Sequence, residues 1–389
     1  MRVGMVLANQ PFPPDIRVEK EADVLAGAGH EVLLLCRREH GQVAEETVSN
    51  VRAVRHRVHP GSPLRRRLDS LLFLLTLDSP SWRGAIERLV TEHGAQALHC
   101  HDLPYARSTL KAGRRTGVPV VLDFHENYPA ALRLWRRRWI DRVLFSGARA
   151  SRFERQVVRE ADRVVVVVEE AKDRLVRLGA DPARVVVFGN AEPAALVSAD
   201  APALPDRLHL VYVGGIAPHR GLETAVEAMP SILGKRPDAH LTIVGDGVSL
   251  EELEALARRL GLNDAVTFTG RLPKDEAMRY VEQATIGLVP HLKSPHTEAT
   301  VPHKLFQYMA YGRPVLVSDC APLARIVRET GAGAVFTAGD AGSFAETALA
   351  LGSDPARLRE TSRAGRNAAA TTWSMESDSA DLLELYNAL

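Results

Sequence analysis

Residues 208–233, LHLVYVGGIAPHRGLETAVEAMPSIL, run from a continuous apolar segment through Gly214-Gly215 and Arg220-Gly221-Leu222 into an amphipathic helix. A short run rich in Val, Ile and Leu, without strict polar alternation, marks a strand covered on both faces, and the helix after it marks a crossover to a parallel neighbour. The pattern recurs in the second half at Leu241–Val244, Val266–Thr269, Ile286–Pro290, Val315–Ser318 and Ala334–Thr337. The first half repeats it at Val3–Ala8, Glu31–Cys36, Val51–His56, Ala95–Cys100, Val118–Asp123, Arg163–Val168 and Arg184–Phe188. Two such series predict an α/β protein of two doubly wound, Rossmann-like parallel-sheet domains facing across a cleft.

The boundary shows in residues 191–207, AEPAALVSADAPALPDR, which hold three prolines and little periodicity. The expected domains are 1–195 and 206–373, with a final helix over 374–389 returning to the first. A chain of 389 residues suits two domains rather than one core. Net charge is +1, but the halves differ: 31 Lys and Arg against 25 Asp and Glu over 1–200, then 18 against 23. At 5% aromatic residues a base-stacking binder is disfavoured, and no nucleic-acid module is recognisable. Cys36, Cys100 and Cys320 are scattered, which argues against disulfides and structural zinc and fits a reducing compartment. The longest apolar runs are too short to span a bilayer and no leader is evident, so a cytoplasmic protein is expected.

The candidate residues cluster after strands, where open α/β sheets bind ligands. After the first strand stands NQPFPPD instead of GxGxxG, which disfavours a nicotinamide enzyme. Arg17 then opens a helix, either as ordinary first-turn charge or facing the cleft. His99 and His101 share a strand face and could approach one metal ion, but no third ligand has recognisable spacing, so no metal site is assigned. Asp123-Phe124-His125-Glu126 follows a strong strand, with His125 the main candidate. Gly214 and Gly215 permit close backbone approach to an anion, and Arg220 before a helix N-terminus stabilises negative charge there. In 294–314, SPHTEATVPHKLFQYMAYGRP, Pro302 and Gly312 bracket a helix over 303–311. Its first turn carries Lys304, and Gln307 shares a face with His303 and Lys304. Leu305, Phe306 and Met309 read most simply as core.

Taken in order, FPPDIRVEKEA, HCHDLP, DFHENYP, VYVGGIAPHRGLETAVEAM, LTIVGDG, VTFTGRLP and PHKLFQYMAYGRPVLVSD resemble the retaining glycosyltransferases of GT-B fold and family 4 type, nearly end to end. The resemblance implies a nucleoside-diphosphate sugar held by the second domain and an acceptor held by the first, with no cofactor and no metal. It implies that Arg220 and Lys304 hold the diphosphate, Gln307 the ribose, and Gly270, Arg271 and Leu272 frame the base. Gly214, Gly215, Glu298, Thr300, Val301, Pro302 and Leu305 complete the implied donor site, and His125 matches the histidine near the sugar. The chain departs from the family at two positions: Gln307 stands where glutamate is common, and Ala299, beside Glu298, where another precedes it. Many relatives also carry a second basic residue beside the position of Gly215.

The acceptor could be a saccharide, a lipid-linked group or a small molecule. Residues 132–149, LRLWRRRWIDRVLFSGAR, and Arg65-Arg66-Arg67 before LLFLL suit an anionic membrane surface. The ordinary reading is a solvated basic face with its apolar side packed inward. A sugar-nucleotide epimerase and a non-catalytic nucleotide-binding partner of a glycosylation complex are the alternative functions.

Overall fold

The computed structural model describes residues 1–135, 147–197 and 204–389. The chain divides into two compact units, Met1–Phe188 with Ser379–Leu389, and Gly189–Asp378. The division falls before the expected boundary at 195. Residues 191–194 belong to the second unit, where Glu192 is buried and its carbonyl accepts from Met375 N at 3.0 Å. Linker residues 198–203 lie outside the described ones.

The first unit holds an eight-stranded sheet of β1 (Arg2–Leu7), β2 (Glu31–Arg37), β3 (Glu45–Val48), β4 (Val51–His56), β5 (Ala97–His101), β6 (Val120–Phe124), β7 (Arg163–Val166) and β8 (Val185–Val187), in the order β3-β4-β2-β1-β5-β6-β7-β8. Every pairing is parallel except β3 with β4. β3 is a correction to the all-parallel expectation. Its residues EETV are mostly exposed and polar, so no apolar run announced it, and it blunts the sheet edge with charge.

The second unit holds β9 (His209–Val213), β10 (His240–Val244), β11 (Val266–Gly270), β12 (Ile286–Val289), β13 (Val315–Ser318) and β14 (Gly333–Phe336), all parallel in the order β11-β10-β9-β12-β13-β14. Sheet order reverses between β9 and β12, and between β1 and β5 in the first unit. Loops diverge at such points and leave room for a ligand at the carboxyl ends of the strands. In the second unit, Leu210, Tyr212, Leu241, Ile243, Ile286, Leu288 and Leu316 on the strands meet Leu222, Val226, Met229, Phe344 and Leu351 on the helices in one core.

The helix predicted over 303–311 is His303–Ala310, with Pro302 extended at its N-cap rather than in its first turn. It is locked to the sheet by Tyr308, whose buried hydroxyl accepts from Val213 N at 2.9 Å. Gly287 lets that ring lie flat on β12, since a Cβ there would come within 2.4 Å of it.

Candidate functional site

At the reversal point of the second unit, β9 ends in Gly214 and Gly215 and β12 leads into Pro290 and His291. Gly214 has φ of 138°, and a Cβ on it would stand 2.8 Å from Lys304 Nζ. Tyr212 donates its hydroxyl to the Gly215 carbonyl at 2.7 Å. Gly221 ends the 3-10 turn Pro218–Arg220 at φ of 66°, so the chain turns sharply into the helix Leu222–Leu233 and sets Arg220 at its start. The Arg220 guanidinium lies 3.1 Å from His291 Nε2.

Lys304 is 8% exposed, and its Nζ has no hydrogen-bond partner. The nitrogen stands 3.4 Å from the centroid of the Tyr212 ring. Burial, then the positive Arg220, hold its pKa well below the usual lysine range. Three histidines surround this pair. Burial and the Arg220 charge push His219 and His296 down to about 4 and hold His291 well below the usual histidine range. His219 lies edge-on to both, with centroids at 6.5 and 5.7 Å. The region concentrates nitrogen bases and positive charge on β-strand ends, with no carboxylate against Arg220 or Lys304 among the described residues. Such a place is built for an anion.

Sequence reasoning selected Arg220, Lys304 and both glycines and missed the three histidines. His219 adjoins Arg220, and His291 follows the apolar run of β12; each was a readable neighbour.

The other expected donor residues lie as follows. The Glu298 carboxylate accepts from Ala321 N at 3.3 Å, at the start of the helix Ala321–Thr330, where the helix dipole favours it. The Leu305 side chain is fully buried core, as its sequence suggested, and its amide donates to the Pro302 carbonyl. The fully buried Val301 offers its carbonyl to Asn190 Nδ2 at 2.7 Å. Thr300 and Pro302 are half-buried beside it, and Gln307 is half-buried one turn beyond Lys304. Gly270 ends β11 at φ of 70°, followed by exposed Arg271 and half-buried Leu272.

In the first unit a buried network stands behind His125. Its Nε2 lies 2.6 Å from Asp123 Oδ2, and its Nδ1 3.7 Å from Asp102 Oδ1. Burial opposes charge on the ring, but these carboxylates outweigh it and raise His125 to about 10. Asp123 is held well below the usual range by Arg17 and His125 in spite of its burial. Arg17 does not serve as an exposed first-turn charge. It is 4% exposed, 2.6 Å from Glu21 and 3.1 Å from Asp123, and it donates to the Phe188 carbonyl at 2.6 Å. His101, pushed down to about 3 by burial, contacts Asp123 at 3.2 Å.

His99 and His101 do converge, and Glu21 and Asp123 from other elements join them, with ligand atoms within 4.8 Å of one another. Arg17 already contacts both carboxylates, burial raises Glu21 to about 7, and a cation placed among these groups would face the Arg17 guanidinium. This polar core stands behind His125.

Residues 15–191 match the family described as glycosyl transferase 4-like domain, and residues 207–354 match glycosyl transferases group 1. Glycogen synthase of Mycobacterium tuberculosis is 24% identical over 385 residues, covering 94% of this chain and 89% of its own length. Sucrose-phosphate synthase of Thermosynechococcus elongatus superposes with a TM-score of 0.80 at 19% identity, covering 100% of this chain and 98% of its own. HepE of Anabaena, solved in complex with UDP-glucose, gives 0.73 at 13% identity, with 100% of both chains covered. Two parallel-sheet domains with these neighbours define the GT-B fold. The chain belongs to the glycosyltransferases of family 4 type, and it is a glycosyltransferase.

Proposed function

We propose that the enzyme transfers a sugar from a nucleoside-diphosphate donor to an acceptor hydroxyl, with retention of anomeric configuration and without a metal ion. The observation that carries this reading is the buried, unpartnered Lys304 amine beside Arg220, where an anion would satisfy both. HepE, of the same fold, is solved with UDP-glucose, which supports a donor of that class.

As the bond between C1 and the β-phosphate oxygen breaks, charge builds on the diphosphate. Arg220 and Lys304 stabilise that charge in a partly buried site, where fixed cations are worth more than in water. The acceptor oxygen bonds to C1 from the face the diphosphate leaves, and the departing phosphate oxygen takes the acceptor's proton. No protein base is needed. Gly214 and Gly215 admit the phosphates, Thr300, Val301 and Pro302 border them, Gln307 bonds the ribose, and Gly270, Arg271 and Leu272 frame the base. His125, held protonated, serves the sugar as a hydrogen-bond donor. The first unit takes the acceptor.

Two measurements test this. Thermal melting with uridine, guanosine and thymidine diphosphates should raise Tm with at least one of them, by mass action. With its sugar nucleotide, that base should support turnover that survives chelation of divalent ions. Failure of every diphosphate to stabilise the chain would sink the proposal, and loss of turnover on chelation would remove metal independence.

A further inference from the structure

We propose that the helix Pro63–Thr76 docks the protein onto the surface of an anionic lipid bilayer. Its sequence, PLRRRLDSLLFLLT, is oriented against the usual rule for a helix packed on a sheet. Leu64, Leu68, Leu71, Leu72 and Leu75 are 78%, 54%, 50%, 36% and 59% exposed, while the one buried residue of the helix is Asp69. At 3.6 residues per turn the five leucines share an arc of about 100°, with Arg65 and Arg67 on its two borders.

Packing fixes this orientation. Asp69 accepts from Ser79 Oγ at 2.7 Å and Ser81 N at 2.9 Å. Phe73 stacks on Tyr105 with centroids 4.8 Å apart. Arg149 donates to the Leu74 and Leu75 carbonyls at the helix end, both at 2.6 Å. Turning the leucines inward would break every one of these contacts, so the outward apolar stripe is held in place. The expectation that the LLFLL run packs inward is overturned here. Most of the basic segment 132–149 lies outside the described residues.

Charge complementarity selects the occupant. Arg65, Arg66 and Arg67 are exposed and make no ion pair among the described residues. Beside Leu72 and Thr76 opens a groove of about 570 Å³ that also carries Arg83, Lys111, Arg114 and Arg115, whose charge Asp78, Glu87 and Glu160 offset in part. An apolar stripe bordered by guanidinium groups fits a bilayer interface, where leucines enter the acyl boundary and arginine stems reach back to the phosphates. A second copy docked on the same face by twofold symmetry would oppose arginine to arginine.

The test is flotation of the full chain with phosphatidylcholine vesicles, with and without phosphatidylglycerol. Binding is expected to the anionic vesicles, and to fall as salt is raised. The triple variant L68Q/L71Q/L75Q should lower it at least about tenfold without lowering Tm. R65Q/R66Q/R67Q should remove the salt-sensitive part. The proposal is overturned if the wild type does not float, or if it floats equally on neutral vesicles and ignores salt. It also fails if both variants bind like the wild type, or if ultracentrifugation shows a dimer that the leucine variant dissociates in the absence of vesicle binding.

Discussion

Lys304 Nζ faces the Tyr212 ring at 3.4 Å and is the one buried lysine nitrogen without a hydrogen-bond partner among the described residues. A ring face gives an ammonium about 0.5–2 kcal/mol, whereas stripping its water costs several. Burial wins, and the charged form of Lys304 is disfavoured in the free protein.

The substitution Lys304→Met should therefore separate stability from activity. Removing an orphaned polar group should stabilise the free protein by about 1 kcal/mol or more, seen as a higher Tm. Turnover should fall about 10²-fold or more, as when an oxyanion-hole donor is lost, and Arg220→Ala should fall similarly. Unchanged turnover in both variants would remove the charge-stabilisation argument.

Nucleoside-diphosphate binding should take up protons. Lys304, His219, His291 and His296 are all held below their ordinary pKa by burial and Arg220, and an anion raises each. Calorimetry in buffers of different ionisation enthalpy would show the uptake, and affinity should rise as pH falls from about 8 to 6. Proton release on binding would contradict this arrangement.

The coupling of His125 to Asp123 sets a pH window for stability. Its pKa is about 10 folded against 6.5 free, so its contribution is full below 6.5, declines as pH rises, and is gone above 10. The difference in stability between wild type and His125→Gln should shrink over that range in urea titrations. A difference that is flat from 6.5 to 10 would mean the ring is neutral, and its role as a proton-holding donor would fail. Burial lowers His101 to about 3, so its contribution has the opposite sign and is lost as pH falls below 6.5.

Gly221 and Gly215 should respond differently to alanine. At Gly221 a Cβ would meet the Pro290 carbonyl at 2.0 Å with φ of 66°, while at Gly215 nothing lies within 4 Å. Gly221→Ala should cost about 2 kcal/mol or more of stability, and Gly215→Ala less than about 0.5. Equal Tm values for the two variants would show that the turn carrying Arg220 relaxes freely.

The thirteen apolar strands were legible because each carries its own cluster of apolar residues, and most are buried on both faces. β3 was not, since an exposed edge strand such as EETV needs no apolar residue. Lys304, Gly214 and Arg220 were readable as strand-end and helix-start chemistry. The network of Arg17, Glu21, His99, His101 and Asp123 draws on three separate elements, so no spacing along the chain announces it. The outward leucines were illegible for a related reason. What turns them is a polar contact distant in sequence, from Asp69 to Ser79 and Ser81.

The first unit is discontinuous, and its order of assembly follows from that. Buried His99 is bonded through Nδ1 to the Tyr386 hydroxyl at 2.5 Å, yet Ser379–Leu389 leaves the ribosome only after the whole of Gly189–Asp378 has been translated. During synthesis the residues before Phe188 emerge without this bond, which closes only after the second unit has been translated.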